Sequence, residues 1–317
     1  MALLGVDIGG TKLALAVFSR EGEIRFRKTI ALEKRKSTDT GRLIKDEIVK
    51  ILDQKEYSGD DIISAGISVP GIYFSEKGTV WAPNIPEWDD YPLLKEIKSV
   101  SGAIPVAIDS DRACYILGEV WKGNAAGCLN AIFLAVGTGI GAGILVKGEI
   151  LRGSSDIAGA IGWMALDRPF NDKYRDCGCF EYHASGEGIA RIAREYLNDD
   201  REYSGELKRK NPGDITSHDI FDAYENGDTI AVKVIGSCIG YWGMAVANLV
   251  SLFNPEKVIL GGGVFGPAGS LITAIRSEAA RWAQPVGIKQ VSIELSGLSG
   301  DAGVYGAGFL ALRNIAD

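Results

Sequence analysis

Twice in this chain, 130 residues apart, a glycine turn separates two short apolar runs. In the first copy Leu4, Val6 and Ile8 alternate as on one face of a strand, Gly9-Gly10-Thr11-Lys12 turns, and Leu13, Leu15 and Val17 run back. Glu21-Gly22-Glu23 turns again, and Ile24 and Phe26 open a third run. The second copy has a run at 131–136, the turn Gly137-Thr138-Gly139-Ile140-Gly141, a return at 143–146, the turn Lys147-Gly148-Glu149, and Ile150-Leu151. The stretches around the second turn read alike, SREGEIRF against LVKGEILR. Alternation broken by tight turns is the pattern of an antiparallel meander. Two such meanders imply two domains of related topology, and 317 residues favour two domains on core size alone.

Glycine supplies 41 of the 317 residues, about 13% against roughly 7% in typical chains. No Gly-X-Y period runs through the chain, and with 46% hydrophobic residues neither collagen nor disorder fits. The glycines therefore serve turns and close backbone approaches. A net charge of -7 with no basic stripe argues against a nucleic-acid partner. The opening MALLGVDIGG lacks a basic segment and does not read as a signal peptide. Five cysteines, a sparse and odd number, fit a reducing cytoplasm. Residues 234–255 carry no charge over 22 positions, the length of a bilayer span. Their Ser237, Asn248, Ser251 and Asn254, with small residues at helical spacing, read instead as a buried core helix, so no membrane is expected.

Between the meanders the pattern predicts a helix at 40–52, a strand at 62–69 ending in Pro70-Gly71, a long loop at 73–92, a strand at 106–109 and a helix at 112–121. Residues 198–214 read as a solvated helix end and loop. Further on, a strand at 257–260 ends in Gly261-Gly262-Gly263, and 301–314 form a helix that packs back on an earlier layer. Glycine lets backbone N–H groups converge on phosphate oxygens. The P-loop signature is absent, and both glycine turns lead into strands rather than helices, so a Rossmann loop fails on context. A bare glycine hairpin would be a turn and nothing more. Asp7-x-Gly9-Gly10-Thr11-Lys12 adds a carboxylate, a hydroxyl and an amine, the groups that Mg²⁺ and phosphate need. Two such turns point to one polyphosphate held between two domains.

VDIGGTK, VPG, SDRACYILGE, VGTGIGAG, CGCFEYHASG and VILGGGV fall in the order and spacing of the ROK family (repressor, open reading frame, kinase), which the chain resembles from Val6 to Leu310. The resemblance implies an α/β chain of two RNase-H-like, actin-like ATPase domains with a cleft between them. It implies ATP in that cleft and transfer of the γ-phosphoryl group to a sugar hydroxyl. We expect a first domain at 1–112, a larger second one at 113–302, and a helix at 303–317 packing on the first. ROK repressors add an N-terminal winged helix, and a chain opening directly on its first strand favours the kinase branch.

In the family an Asn-Asp pair precedes a helix ending in Leu-Gly-Glu. Counting back from Leu117-Gly118-Glu119 makes Asp111 the general base and puts Ser110 where Asn usually sits. A base here accepts the hydroxyl proton and aims the oxygen at phosphorus. Asp109 is the runner-up, and without the surrounding motifs Asp111 would read as a plain helix cap. The resemblance assigns Asp7 to Mg²⁺, through water, and Gly9, Gly10, Thr11, Lys12, Gly137, Thr138 and Gly139 to the phosphates. Gly261, Gly262 and Gly263 then let the adenosine end approach the backbone.

On the sugar side the chain departs from the pattern. Glucose-type members carry A-G-E-I-G-H, whose Glu and His bind sugar hydroxyls; here Ala160 and Trp163 stand in their places. Gly71, Asn84, Ser110, Asp111 and Glu181 still match sugar-binding positions, and Trp163 either stacks on a sugar face or is core. Each lost buried partner changes discrimination by about 1–3 kcal/mol, so the preference near C1 and C2 is expected to differ from glucose-type members. Most of the family has a zinc site of one His and three Cys. Aligned on Cys179, this chain has Asp172 and Tyr174 at two of the Cys positions, Trp163 at the His, and Cys177 out of register. No zinc is expected, and His183 reads as structural. The leading function is a cytoplasmic, ATP- and Mg²⁺-dependent kinase of a hexose or amino sugar, homodimeric by resemblance, with neither nucleic acid nor membrane as partner. The alternative is a catalytically weak, sugar-responsive regulatory ROK protein without a DNA-binding domain. A chaperone-like or actin-like ATPase, which would hydrolyse ATP without sugar, is the remote third.

Overall fold

The structure, a computed structural model, describes residues 1–32, 37–53 and 61–315. The chain forms two compact units. The first takes residues 1–127, 150–158 and 300 onward; the second takes 128–149 and 159–299.

The first unit is built on β1 (Ala2–Ile8), β2 (Lys12–Phe18) and β3 (Ile24–Ala31), followed by α1 (Ser37–Asp53) and β4 (Ile62–Val69). A hairpin of β5 (Ile72–Phe74) and β6 (Thr79–Trp81), then α2 (Leu93–Ser101), β7 (Val106–Ser110) and α3 (Asp111–Lys122) complete it, together with the last helix, Ala302–Arg313. Its sheet runs β3-β2-β1-β4-β7. The first three strands are antiparallel, as the alternation predicts, and β4 and β7 add in parallel.

All seven residues of β1 are buried because both faces of the sheet are covered. Leu4, Val6 and Ile8 pack with Ile44 and Ile48 of α1, while Leu3 packs with Val304 and Ala311 of the last helix. That helix lies close enough to leave no room for side chains beneath it. A Cβ on Gly5 would sit 2.8 Å from the Val304 carbonyl oxygen, and one on Gly66 would strike the backbone at Ala307. The same closeness moves the domain boundary. Gly118 and Gly306 let α3 and the last helix touch backbone to backbone, so α3 belongs to the first unit. The division expected after residue 112 falls after 127, and 150–158 also belong to the first unit. Residues 316 and 317 of the expected closing helix lie outside the described residues.

The second unit repeats the plan. β8 (Ala131–Val136), β9 (Ile140–Val146) and β10 (Glu149–Ile150) form the meander, and α4 (Cys179–Ala184), α5 (Gly186–Asp199), α6 (Ser217–Glu225) and α7 (Thr229–Phe253) follow. β11 (Lys257–Gly261), α8 (Ile272–Trp282), α9 (Gly287–Gln290) and β12 (Ser292–Leu295) close it. The sheet order, β10-β9-β8-β11-β12, matches the first sheet strand for strand. Among the described residues α7 alone has the length and hydropathy of a membrane span, and 61% of its most apolar window is buried within the protein. Asp228 caps its start, accepting from the backbone N–H groups of Ile230 and Ala231 at 2.9 and 3.1 Å. Its Val234, Trp242, Val246 and Val250 pack in one core with Ile132, Leu134 and Ile275.

The stretch 73–92, expected as a loop, holds the β5–β6 hairpin and is anchored by Trp88. That ring is almost wholly buried and stacks on Tyr91 at 4.3 Å, with only 4° between planes. The sequence reading also passed over α2, α8 and β12. β12 is four residues long and only Ile293 is buried, too short a period to register.

Candidate active site

The parallel strands of the first unit end in a row of polar groups. Asp7 on β1 stands opposite Ser68 on β4, and Ser68 opposite Asp109 on β7, with Ser110 and Asp111 one and two residues further on. Open α/β sheets bind ligands at the carboxyl ends of their strands. Asp7 is buried, and its Oδ1 accepts from Ser68 Oγ at 2.7 Å. Among the described residues no Lys or Arg pairs with it. Burial raises its carboxyl; Ser68 and the Lys12 charge pull the other way. A buried carboxylate with unused lone pairs suits a hard cation that keeps most of its water.

The β1–β2 turn projects from this row. Gly9 N–H donates to the Lys12 carbonyl at 2.8 Å, and Gly10, Thr11 and Lys12 form an exposed tip. A Cβ on Gly10 would lie 3.3 Å from Cβ of Asn84, which places Asn84 beside the tip. Gly71 has φ of 111°, and a Cβ there would strike the Trp81 carbonyl.

Asp109 and Asp111 differ in what they already hold. Asp109 is buried; its Oδ2 accepts from Arg152 at 2.5 Å and its Oδ1 from Ser110 N–H at 2.8 Å. Both oxygens are engaged. The helix-cap role belongs to Ser110, whose Oγ accepts from Ala113 N–H at 3.4 Å. Asp111 is thereby released from capping. Its Oδ1 accepts from the next residue's N–H at 2.8 Å, and its Oδ2 meets the Tyr115 hydroxyl at a long 3.4 Å. Burial lifts its carboxyl to about 6, against the pull of the Arg112 charge. A carboxylate poised there is matched to proton abstraction near neutral pH.

The second unit carries the other predicted residues. In its turn Gly137 N–H donates to the Gly139 carbonyl at 2.9 Å, and Gly186 N–H donates to the Gly137 carbonyl at 2.7 Å, with Thr138 between the two glycines. Glu181, on α4, accepts from Ile140 N–H at 2.6 Å, in a slot that a Cβ on Gly139 or Gly162 would fill. Trp163, at the end of a short 3₁₀ turn, is 58% exposed, which disposes of the reading as core. Of the three glycines that end and follow β11, Gly261 is required by the Phe133 ring. Gly262 is required by its φ of 94° and the Val136 carbonyl, and only Gly263 faces open space.

Around the family's zinc position an aromatic cluster stands instead. The Tyr174 hydroxyl hydrogen-bonds His183 Nε2 at 2.9 Å, and His183 stacks on Tyr241 at 4.6 Å and 8°. Among the described residues no three His, Cys, Asp or Glu side chains converge as metal ligands. Arg152, Tyr115, Ser68 and this cluster were missed by the sequence reading. Ser68, two residues before Pro70-Gly71 at a strand end, carried a signal; Arg152, 43 residues from its partner, carried none.

Two sheets of one order, the first with acids along its strand ends, define the RNase-H-like ATPase fold. The chain belongs to the ROK family, whose model matches residues 3–314. A glucokinase of Halalkalibacterium halodurans is 35% identical over 315 residues, covering 97% of this chain and 94% of that protein. The crystal structure of a ROK family glucokinase from Streptomyces griseus, in complex with glucose and AMPPNP, superposes with a TM-score of 0.78 at 28% identity, over 99% of this chain and 100% of that one. A ROK family transcriptional regulator, a homologue of the E. coli MLC protein, superposes with a TM-score of 0.85 at 25% identity, over 99% of this chain and 78% of the regulator.

Proposed function

We propose that the chain is an ATP-dependent sugar kinase in which Asp111 is the general base for transfer of the γ-phosphoryl group to a hydroxyl of a hexose or amino sugar. The observation that carries this is the state of Asp111: half-buried, in no ion pair among the described residues, relieved of capping by Ser110, and raised to about 6 at the end of β7. In the reaction the sugar hydroxyl gives its proton to Asp111 as its oxygen attacks phosphorus and the bond to the ADP oxygen breaks. Gly9 and Gly137 close the two turns with their own N–H groups, and Gly10, Thr11, Lys12, Thr138 and Gly139 hold phosphate oxygens. Gly263 leaves room for the nucleoside, with Gly261 and Gly262 shaping its approach. Asp7 fits Mg²⁺ held through water, and the ion would neutralise phosphate charge when bound.

Gly71, Asn84, Ser110, Trp163 and Glu181 take the sugar, with Glu181 offering the oxygen that Ile140 does not use. Ala160 offers no hydrogen bond and the exposed Trp163 offers a face, so selectivity near C1 and C2 differs from a Glu/His site. The enzyme acts in the cytoplasm as a homodimer, on small molecules rather than on nucleic acid or membrane. Coupled ADP release over a panel of hexoses and amino sugars, with Asp111→Asn as control, tests the reading. Sugar-dependent turnover lost in the variant is expected. ATP binding without turnover on any sugar would favour the regulatory alternative. Unaltered glucose affinity in Trp163→His, equal to that of glucose-type enzymes, would remove the selectivity argument.

A further inference from the structure

Arg112 follows Asp111 in the first turn of α3. Its Nε is buried and has no hydrogen-bond partner, and among the described residues its guanidinium enters no ion pair. The arrangement is unfavourable in three ways. A largely buried cation feels its nearest carboxylates without a hydrogen-bonded ion pair, a buried donor is unsatisfied, and a positive charge sits at the end of a helix whose dipole repels it. Burial accordingly draws the guanidinium below its ordinary value. The charges that reach it are those of Asp111 and Asp109, and Asp109 is already taken by Arg152. Two carboxylates and two guanidiniums thus meet at the end of β7, with Asp109 and Arg152 closed as a pair and Arg112 left near Asp111 with no side-chain hydrogen bond between them.

Such a residue is explained if an acceptor for its donors arrives from outside. We propose that Arg112 is an anion-binding residue of the acceptor site, closing its guanidinium on the oxygens of a negatively charged group brought by the substrates. This rests on the kinase reading of Asp111. A planar guanidinium matches phosphoryl and carboxylate oxygens in pairs. The group has two sources: the phosphoryl group as it reaches the hydroxyl that Asp111 deprotonates, or a carboxylate or phosphate already on the acceptor sugar. The second would also account for a site that has Ser110, Ala160 and Trp163 where hydrogen-bonding side chains stand in glucose-type members.

Calorimetric titration of glucose, glucose 6-phosphate and glucuronate into the wild type, Arg112→Met and Arg112→Lys separates these, with steady-state kinetics on glucose and glucuronate. We expect Arg112→Met to weaken at least one anion about tenfold or more while leaving glucose unchanged. A phosphoryl source predicts weaker glucose 6-phosphate and lower kcat on every acceptor. An acceptor-borne source predicts wild-type preference for glucuronate or glucose 6-phosphate over glucose, with KM for the anion alone raised. Arg112→Lys keeps the charge, loses the paired geometry and serves if the Met variant fails to fold by circular dichroism; intermediate anion affinity is expected. Wild type that binds neither anion, or variants that bind both as tightly as wild type with unchanged kcat and KM, would overturn the proposal. Absence of turnover in the wild type would sink the kinase reading alone, since the binding titrations still report on Arg112.

Discussion

Asp109 and Asp111 lie two positions apart at one strand end, and their partners decide their chemistry. Asp109 holds a hydrogen bond on each oxygen, from Arg152 and the Ser110 N–H, and is tied into an ion pair. Asp111 has its carboxyl raised to about 6 and little to hold it. If Asp111 is the base, kcat/KM falls as pH drops through about 6 rather than through the ordinary carboxylate range, which a pH profile on any accepted sugar will show. Asp111→Asn should cut kcat by about 10²–10⁴ with KM nearly unchanged. The same shift has a consequence for stability. A carboxyl raised in the folded state favours folding below its unfolded value near 3.8 and loses that advantage as pH rises through about 6. Asp111→Asn therefore removes a penalty that is complete only above that window. The variant should be more stable than wild type at pH 8, by about 3 kcal/mol, and nearly equal at pH 4. Urea unfolding at the two pH values measures this. Asp111 stood out as a candidate in sequence because it is counted back from Leu117-Gly118-Glu119. What frees it was not, since Ser110's capping and Arg152's pairing are both matters of where side chains end up.

At the scale of elements, α4 carries an aromatic cluster beside an incomplete cysteine motif. The tyrosine at a cysteine position made the incomplete zinc motif readable. Its replacement was not, because Tyr241, which stacks on His183, lies on α7 and far along the chain. Burial draws the His183 imidazole below its usual value, so it is neutral at pH 7 and accepts or donates as Tyr174 requires. Tyr174→Phe should cost about 1 kcal/mol in urea unfolding, and EDTA should leave the wild-type Tm unchanged. A Tm that drops with EDTA would show a metal. The glycines after β11 divide the same way. Gly262→Ala should destabilise by about 1–3 kcal/mol through its positive φ and the Val136 carbonyl. Gly263→Ala should stay within about 0.5 kcal/mol and show itself only in the KM for ATP. A run of three glycines looks uniform in sequence, and only the neighbours of each separate a structural need from open room.

The whole molecule is two sheets of one strand order, and the repeated meander announced that. The boundary it did not announce. The first unit draws on 1–127, 150–158 and 300 onward, and the reason is contact between glycines almost two hundred residues apart, Gly118 with Gly306 among them. A chain ending at Gly300 would lack the helix that covers Leu3 and Phe18. It should lose amide protection across β1, β2 and β4 while β8 and β11 keep theirs, as hydrogen exchange can show; uniform protection would contradict the division. The same arrangement bears on how the protein is born. Chains are made at about 5–20 residues per second, so after residue 127 leaves the ribosome some 10–40 s pass before residue 313 follows. The second unit is fully made at residue 299, before the closing helix, while the first, translated earlier, waits through the whole interval with one greasy face uncovered. Synthesis and completion thus run in opposite orders, and a holding chaperone would find its binding face on the half of the nascent protein made first.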